Sequence, residues 1–155
     1  MKTIFYAPLL FICFQLTSYA QEWNTNLAIA QEKAKQENKN IVLVFAGSDW
    51  CAPCIKLEKN ILQSKIFKTQ AQKKWVLLRA DFPRLKKNRL PQMQAEQNNQ
   101  LAAKYNTNGY FPLVVLLSPD GNRLGETGFS NQSPETFVQT LNQFDKKPWK
   151  ELSSH

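Results

Sequence analysis

The sequence predicts one α/β domain built on a mixed β-sheet with helices on both faces. Three observations carry that prediction. Ile41-Val42-Leu43-Val44-Phe45 and Trp75 to Ala80 are unbroken apolar runs rich in β-branched and aromatic residues, as in strands covered on both sides. Segments with apolar residues at helical spacing stand before, between and after these runs. Towards the C-terminal end an apolar run through Leu117, the turn Ser118-Pro119-Asp120-Gly121 and Arg123 to Gly128 read as a hairpin. Antiparallel pairing thus follows a βαβ crossover, which makes the sheet mixed.

Taken in order, Leu27–Lys39 is the first helix, with Leu27, Ala30 and Ala34 on one face and Asn24 or Thr25 as its cap. Asn38-Lys39-Asn40 breaks that pattern before the first central strand. A helix opens at Ala52 and ends near Gln63-Ser64, followed by a short turn around Ile66-Phe67. After the strand Trp75 to Ala80 comes Asp81-Phe82-Pro83, then Arg84 to Arg89 with four basic residues among six. That basic stretch reads either as a solvated loop or as a docking surface. Gln92 to Tyr105 is helical and is ended by Asn106 to Gly109. Tyr110 to Leu117 is a strand entered through Pro112. Ser133-Pro134-Glu135 starts the last helix, cap followed by proline, with Phe137, Val138, Leu141 and Phe144 on its apolar face.

At 155 residues the chain suffices for one domain with a real core and not for two. A mean hydropathy of -0.45 argues against a multi-spanning membrane protein. The net charge of +8 comes without the aromatic-and-basic pattern of a nucleic-acid module, so a basic soluble surface is the simpler reading. Residues 1–20 have the features of an export signal: Lys2, the apolar run Ile4 to Phe14, and small residues Ser18 and Ala20 around Tyr19. The run is short for a membrane span, although an uncleaved anchor is the alternative. Cleavage after Ala20 leaves residues 21–155 as the domain, with Cys51 and Cys54 as its only cysteines.

Those two cysteines lie in Asp49-Trp50-Cys51-Ala52-Pro53-Cys54, where a strand hands over to a helix. A cysteine at a helix N-cap faces unpaired backbone N–H groups and the positive end of the helix dipole, which favour its thiolate. One turn later Cys54 is on the same side, within disulfide reach. Pro53 suits the first turn, where a missing N–H costs nothing. Only a thiolate attacks a disulfide, so one sulfur is the nucleophile and the other the resolver. A purely structural bridge is the alternative, but so small a loop constrains the unfolded chain little. Two cysteines and the single His155 do not make a four-ligand zinc site, so no metal is expected.

Cys51-Ala52-Pro53-Cys54 preceded by Trp50, and Gly109-Tyr110-Phe111-Pro112 followed by an apolar strand and Asp120-Gly121, resemble the two signature loops of the thioredoxin family. The resemblance covers roughly residues 24 to 145. Gly47-Ser48-Asp49-Trp50-Cys51 and Asp81-Phe82-Pro83-Arg84 resemble exported members, among them the periplasmic C-terminal domain of the membrane disulfide reductase. The resemblance implies a thioredoxin fold and an exported thiol–disulfide oxidoreductase, with Cys51 as attacking thiolate and Cys54 as buried resolving thiol. It also implies a cis Pro112 beside the disulfide and a Phe111 backbone that pairs with substrate, an ordinary trans proline being the alternative. Trp50, Pro53, Tyr110 and Phe111 are the candidate substrate-binding residues, though Trp50 packed on the rim for stability fits as well.

The sequence departs from the family at the buried acid six residues before the first cysteine, which is Phe45 here, and at the partner lysine, which falls near Leu77. Glu58, one helical turn after Cys54, is the candidate replacement for moving the Cys54 proton; the alternative is a solvated Glu on the helix face. Asp49 is a weaker candidate for the same role and reads better as part of the loop entry. No nicotinamide or flavin motif is present, so the cysteine pair is the only redox group expected. The implied partners are thiols and disulfides of exported proteins in the periplasm or cell envelope, and a membrane electron donor. No dimerisation segment is evident, so a monomer is expected. A disulfide isomerase or oxidase, and a binding or chaperone module that keeps the fold without turnover, are the other readings.

Overall fold

The computed structural model describes residues 21–146. The stretch 1–20, read as an export signal and containing Cys13, lies outside the described residues, as does His155. Two-residue β1 (Trp23–Asn24) is followed by α1 (Leu27–Glu37), β2 (Asn40–Ala46) and α2 (Ala52–Leu57). A π-helical turn Glu58–Leu62 extends α2, and then come α3 (Lys65–Lys74), β3 (Trp75–Asp81) and α4 (Gln92–Tyr105). β4 (Leu113–Leu117), β5 (Arg123–Thr127) and α5 (Pro134–Asp145) complete the domain. The sheet order is β1-β3-β2-β4-β5. β2 runs parallel to β3 and antiparallel to β4, and β4 pairs antiparallel with β5.

Side chains alternate across a strand, so β2 serves two cores at once. Val42 and Val44 face Leu57, Ile61, Phe67, Ala71, Phe137 and Leu141, under α2, α3 and α5. Ile41, Leu43 and Phe45 face Ala30, Ala34, Leu101 and Tyr105, under α1 and α4. The small Ala30 and Ala34, both fully buried, let α1 lie close on the sheet. On the far side Gly125 has the same use: a Cβ there would stand 2.3 Å from the Phe144 ring.

Several element ends differ from the sequence reading. The cap of α1 is Asn26, whose side chain accepts from the Ile29 N–H at 3.1 Å, rather than Asn24 or Thr25. The helix stops at Glu37 because Asn38 takes a left-handed conformation (φ 52°), and the Lys39 N–H then returns to the Ala34 carbonyl at 2.9 Å. Asn24 instead belongs to β1, its side-chain amide donating to the Leu77 carbonyl at 3.0 Å. The short turn expected at Ile66-Phe67 is the full helix α3. Ser64 caps it at the Phe67 N–H, and Phe67 and Ala71 bury one turn apart. β4 starts at Leu113, because the N–H and carbonyl of Tyr110 are both held by the Asn106 side chain, at 2.9 and 2.8 Å.

Phe67 ties the α2–α3 side together, with ring centroids 6.2 Å from Trp75 and 6.4 Å from Phe137. Phe67→Ala is expected to cost about 3–5 kcal/mol of stability, the range for truncating a buried aromatic. Chemical denaturation of the two proteins measures it, and a loss below about 1 kcal/mol would mean that the ring is not packed this way.

Candidate active site

β2 and β3 are parallel and β4 antiparallel, so the C-terminal ends of β2 and β3 meet the N-terminal end of β4 at one edge of the sheet. Ala46 stands opposite Asp81, and Phe45 opposite Leu113. The loops Gly47–Trp50, Phe82–Pro91 and Asn106–Pro112 therefore converge there, and all the sequence-predicted site residues except Glu58 sit on these loops or on the first turn of α2.

Cys51 is the N-cap of α2, with extended backbone (φ -90°, ψ 99°), and its sulfur accepts the Cys54 N–H at 3.3 Å. The sulfur thus does what a Ser or Asp oxygen does at other caps, and that N–H stabilises negative charge on it. Pro53 is exposed in the first turn. Cys51 and Cys54 are joined as a disulfide, with Cα atoms 5.2 Å apart. Both residues are 4% exposed, so residue exposure does not mark Cys54 as the more buried partner. What distinguishes them is the cap hydrogen bond, which only Cys51 receives.

Trp50 is held on four sides. Its indole N–H donates to the Phe82 carbonyl at 2.7 Å, the Arg84 guanidinium stacks 3.7 Å from the ring centroid, and Phe111 meets its edge at 5.5 Å. Below lies Gly47, where a Cβ would come within 2.3 Å of the indole. Phe111 also meets Phe82 edge-on at 5.4 Å, while Tyr110 is 60% exposed. The Phe111–Pro112 peptide is cis and Pro112 is buried. Asn106, buried at 6% exposure, clasps Tyr110 from both sides, and Gly109 takes the positive φ of 66° that the loop requires. Asn106 escaped sequence reading because an Asn after a helix also fits a simple stop signal.

Two carboxylates lace the loops together. Asp81 accepts the Ser48 N–H at 2.9 Å and the Ser48 hydroxyl at 2.6 Å. Asp49 accepts the N–H groups of Arg84 and Leu85, at 2.9 and 3.0 Å, and the Asn88 side-chain amide at 2.9 Å. Sequence reading placed Asp49 mainly at the loop entry. Its partners lie more than thirty residues away, beyond the reach of local spacing.

Glu58 begins the π-helical turn, where the Gln63 N–H reaches back five residues to its carbonyl at 3.0 Å. Its carboxylate is not simply solvated. One oxygen pairs with Arg79 of β3 and the other accepts from Gln63. Arg79 in turn stacks on Trp23 at 4.3 Å. The position expected from counting, Phe45, turns to the α1–α4 side, and Val44 is the strand residue beneath α2. The basic partner on the next strand is Arg79, opposite Val44, rather than a residue at Leu77. Among the described residues no group of His, Cys, Asp and Glu could hold a metal ion, and no helix is long and apolar enough to cross a membrane.

A thioredoxin-like family model matches residues 22–119. The chain is 38% identical over 120 residues to the disulfide bond reductase DsbH of Chlamydia pneumoniae, covering 77% of this chain and 70% of that protein. It is 30% identical over 122 residues to the thioredoxin-related protein DsbJ of the same organism, of which it spans only 34%. The solved structure of a DsbH oxidoreductase superposes with a TM-score of 0.76 at 32% identity, covering 92% of this chain and 96% of that one. The chain belongs to the thioredoxin-like family, and the fold at its Cys51-Cys54 pair is the thioredoxin fold.

The Arg84 N–H, with the Asn88 amide and the Leu85 N–H, holds the Asp49 carboxyl below its ordinary value of 3.8. A lowered folded pKa means that the contribution to stability is complete above 3.8 and is lost as pH falls through the folded value. Asp49→Asn is expected to lower the melting temperature at pH 7, with the gap to wild type closing in acid below that value. A gap that persists unchanged at pH 2.5–3 would show that the carboxylate charge is not what fastens the loop.

Proposed function

We propose that this thiol–disulfide oxidoreductase works as a reductase on the disulfides of exported proteins, outside the cytoplasm. The observation that carries the reading is Cys51 at the N-cap of α2, bonded to Cys54 and receiving the Cys54 N–H. In the reduced protein the Cys51 thiolate attacks one sulfur of a substrate disulfide. A mixed disulfide forms and the other substrate sulfur leaves as a thiolate. Cys54, as thiolate, then attacks the Cys51 sulfur, releasing the second substrate thiol and closing Cys51–Cys54. Two electrons pass to the substrate, and an electron donor in the membrane restores the dithiol. The cysteine pair is the redox group, and no further cofactor is assigned.

The Phe111 backbone next to Pro112 offers an extended substrate its main-chain partner, with Trp50, Pro53 and Tyr110 bordering the contact. Residues 1–20 act as the export signal, and residues 21–155 work as a monomeric domain. The name of the reductase relative supports the direction of transfer, as does the Ala52-Pro53 dipeptide, which has no side-chain donor to favour the reduced form as a strong oxidant would. The couple is therefore expected nearer roughly −270 mV than roughly −120 mV. Glutathione titration measures that value, and insulin reduction by wild type, lost in Cys51→Ser, tests turnover. A potential at the oxidising end would assign an oxidase, and the absence of cysteine-dependent insulin reduction a binding module.

Glu58 assists the second step by helping to move the Cys54 proton, its carboxylate positioned by Arg79. Glu58→Gln is expected to shift the pH profile of Cys54 reactivity and slow release of the mixed disulfide, leaving the first attack by Cys51 close to wild type. Rapid-mixing kinetics on both steps, as a function of pH, check this. An unchanged profile for the second step would leave the Glu58–Arg79 pair a structural tie only.

A further inference from the structure

An open groove of about 510 Å³ is lined by Trp50, Phe82, Phe111, Asp81, Arg84 and Arg89. Two of its lining residues, Trp50 and Phe111, directly precede Cys51 and Pro112, so the groove opens onto the site rather than lying apart from it. Asp81 in that lining has both carboxylate oxygens turned to Ser48, and the rest of the groove's charge is positive. No Asp or Glu occurs between Phe82 and Ala95, and Arg84, Lys86, Lys87 and Arg89 are all exposed. Among the described residues the ion pairs use other cations and leave these four unpaired. The Asp81 carboxylate is taken by Ser48, and Asp49, outside the lining, by the loop backbone.

Arg84 is also pre-oriented. Stacking on Trp50 uses the face of the guanidinium and leaves the N–H fork along its edge free for a carboxylate. Asp49 and Asn88 hold the loop that carries Arg84 and Arg89, so these cations are presented on a fastened segment and not on a mobile tail. We propose that this groove makes the enzyme selective for disulfides flanked by acidic residues, Arg84 and Arg89 pairing with carboxylates of an extended peptide whose aromatic or apolar side chain rests against Trp50, Phe82 and Phe111. The proposal rests on the reductase reading and adds its substrate class. Apolar walls beside an oriented cation suit a peptide better than a flat anionic membrane, which the exposed Leu85, Lys86 and Lys87 alone would serve.

The test uses the pre-reduced protein and three short peptides that differ only at the residues flanking one disulfide: Asp/Glu, Asn/Gln or Lys. Each rate is divided by that with dithiothreitol, which removes intrinsic differences between the peptides. The acidic peptide is expected to be reduced about fivefold faster per unit concentration than the neutral one, from two partly screened ion pairs, and the Lys peptide slower than both. The preference is expected to shrink towards unity in about 1 M salt, where the screening length is roughly 3 Å. It is expected to do the same in Arg84→Gln/Arg89→Gln, mainly through KM. Equal rates on acidic and neutral peptides, or a preference that survives both salt and the double substitution, would overturn the proposal. So would tight binding to phosphatidylserine vesicles without peptide discrimination, which would assign the loop to a membrane surface. If all three peptides are reduced alike only the selectivity fails, whereas no reduction of any peptide removes the reductase reading with it.

Discussion

The pairing of β2 with neighbours of opposite sense is the constraint on which the site depends. Parallel β3 brings its C-terminal end beside that of β2, and antiparallel β4 brings its N-terminal end to the same edge. Three loops from distant parts of the sequence are thereby forced together, and the first turn of α2 is aimed into their midst. Strand β2 can hold that position because both its faces are buried, Val42 and Val44 on one side and Ile41, Leu43 and Phe45 on the other. A slip of one residue would exchange the two sets and detach Cys51 from the edge.

Given that frame, the chemistry of the centre comes from very few atoms. A sulfur occupies the capping position of a helix and takes the hydrogen bond that the backbone there must find. Around it the loops are held by carboxylates and by aromatic edges, not by a large apolar core. Asp81 ties the loop after β2 to β3, Asp49 ties it to the basic loop, and Trp50 spans both through its N–H and its face. The two carboxylate ties satisfy backbone N–H groups that no strand or helix would otherwise occupy, and the indole N–H satisfies the Phe82 carbonyl. The result is a cross-tied rim at the active-site end of the sheet, with two arginines on it.

Glu58 and Arg79 illustrate how the same centre is supported from beneath. An acid on the π-helical turn meets a base on β3, opposite Val44, and Trp23 of the edge strand covers the guanidinium. Helix spacing placed Glu58 one turn after Cys54, either as a proton carrier or as a solvated Glu. It could not show a partner twenty-one residues away on another element.

Much of this was legible in the sequence because it is local. Apolar runs marked β2 and β3, a serine and a proline marked the start of α5, and Cys51-Ala52-Pro53-Cys54 at a strand–helix junction marked the redox centre. The rest was not, since it depends on contacts between segments. β1 is two residues with no period to read, α3 is amphipathic only once Phe67 has a core to enter, and Asn106 is a clasp only when Tyr110 folds back upon it. By itself the sequence determined the class of fold and the two sulfurs, because patterning and capping are encoded within a few residues. The partners of Asp49, Asp81 and Glu58, and the groove beside Cys51, were decided by the tertiary structure alone, because hydrogen bonds and charge pairs across a sheet edge follow strand register and not sequence spacing.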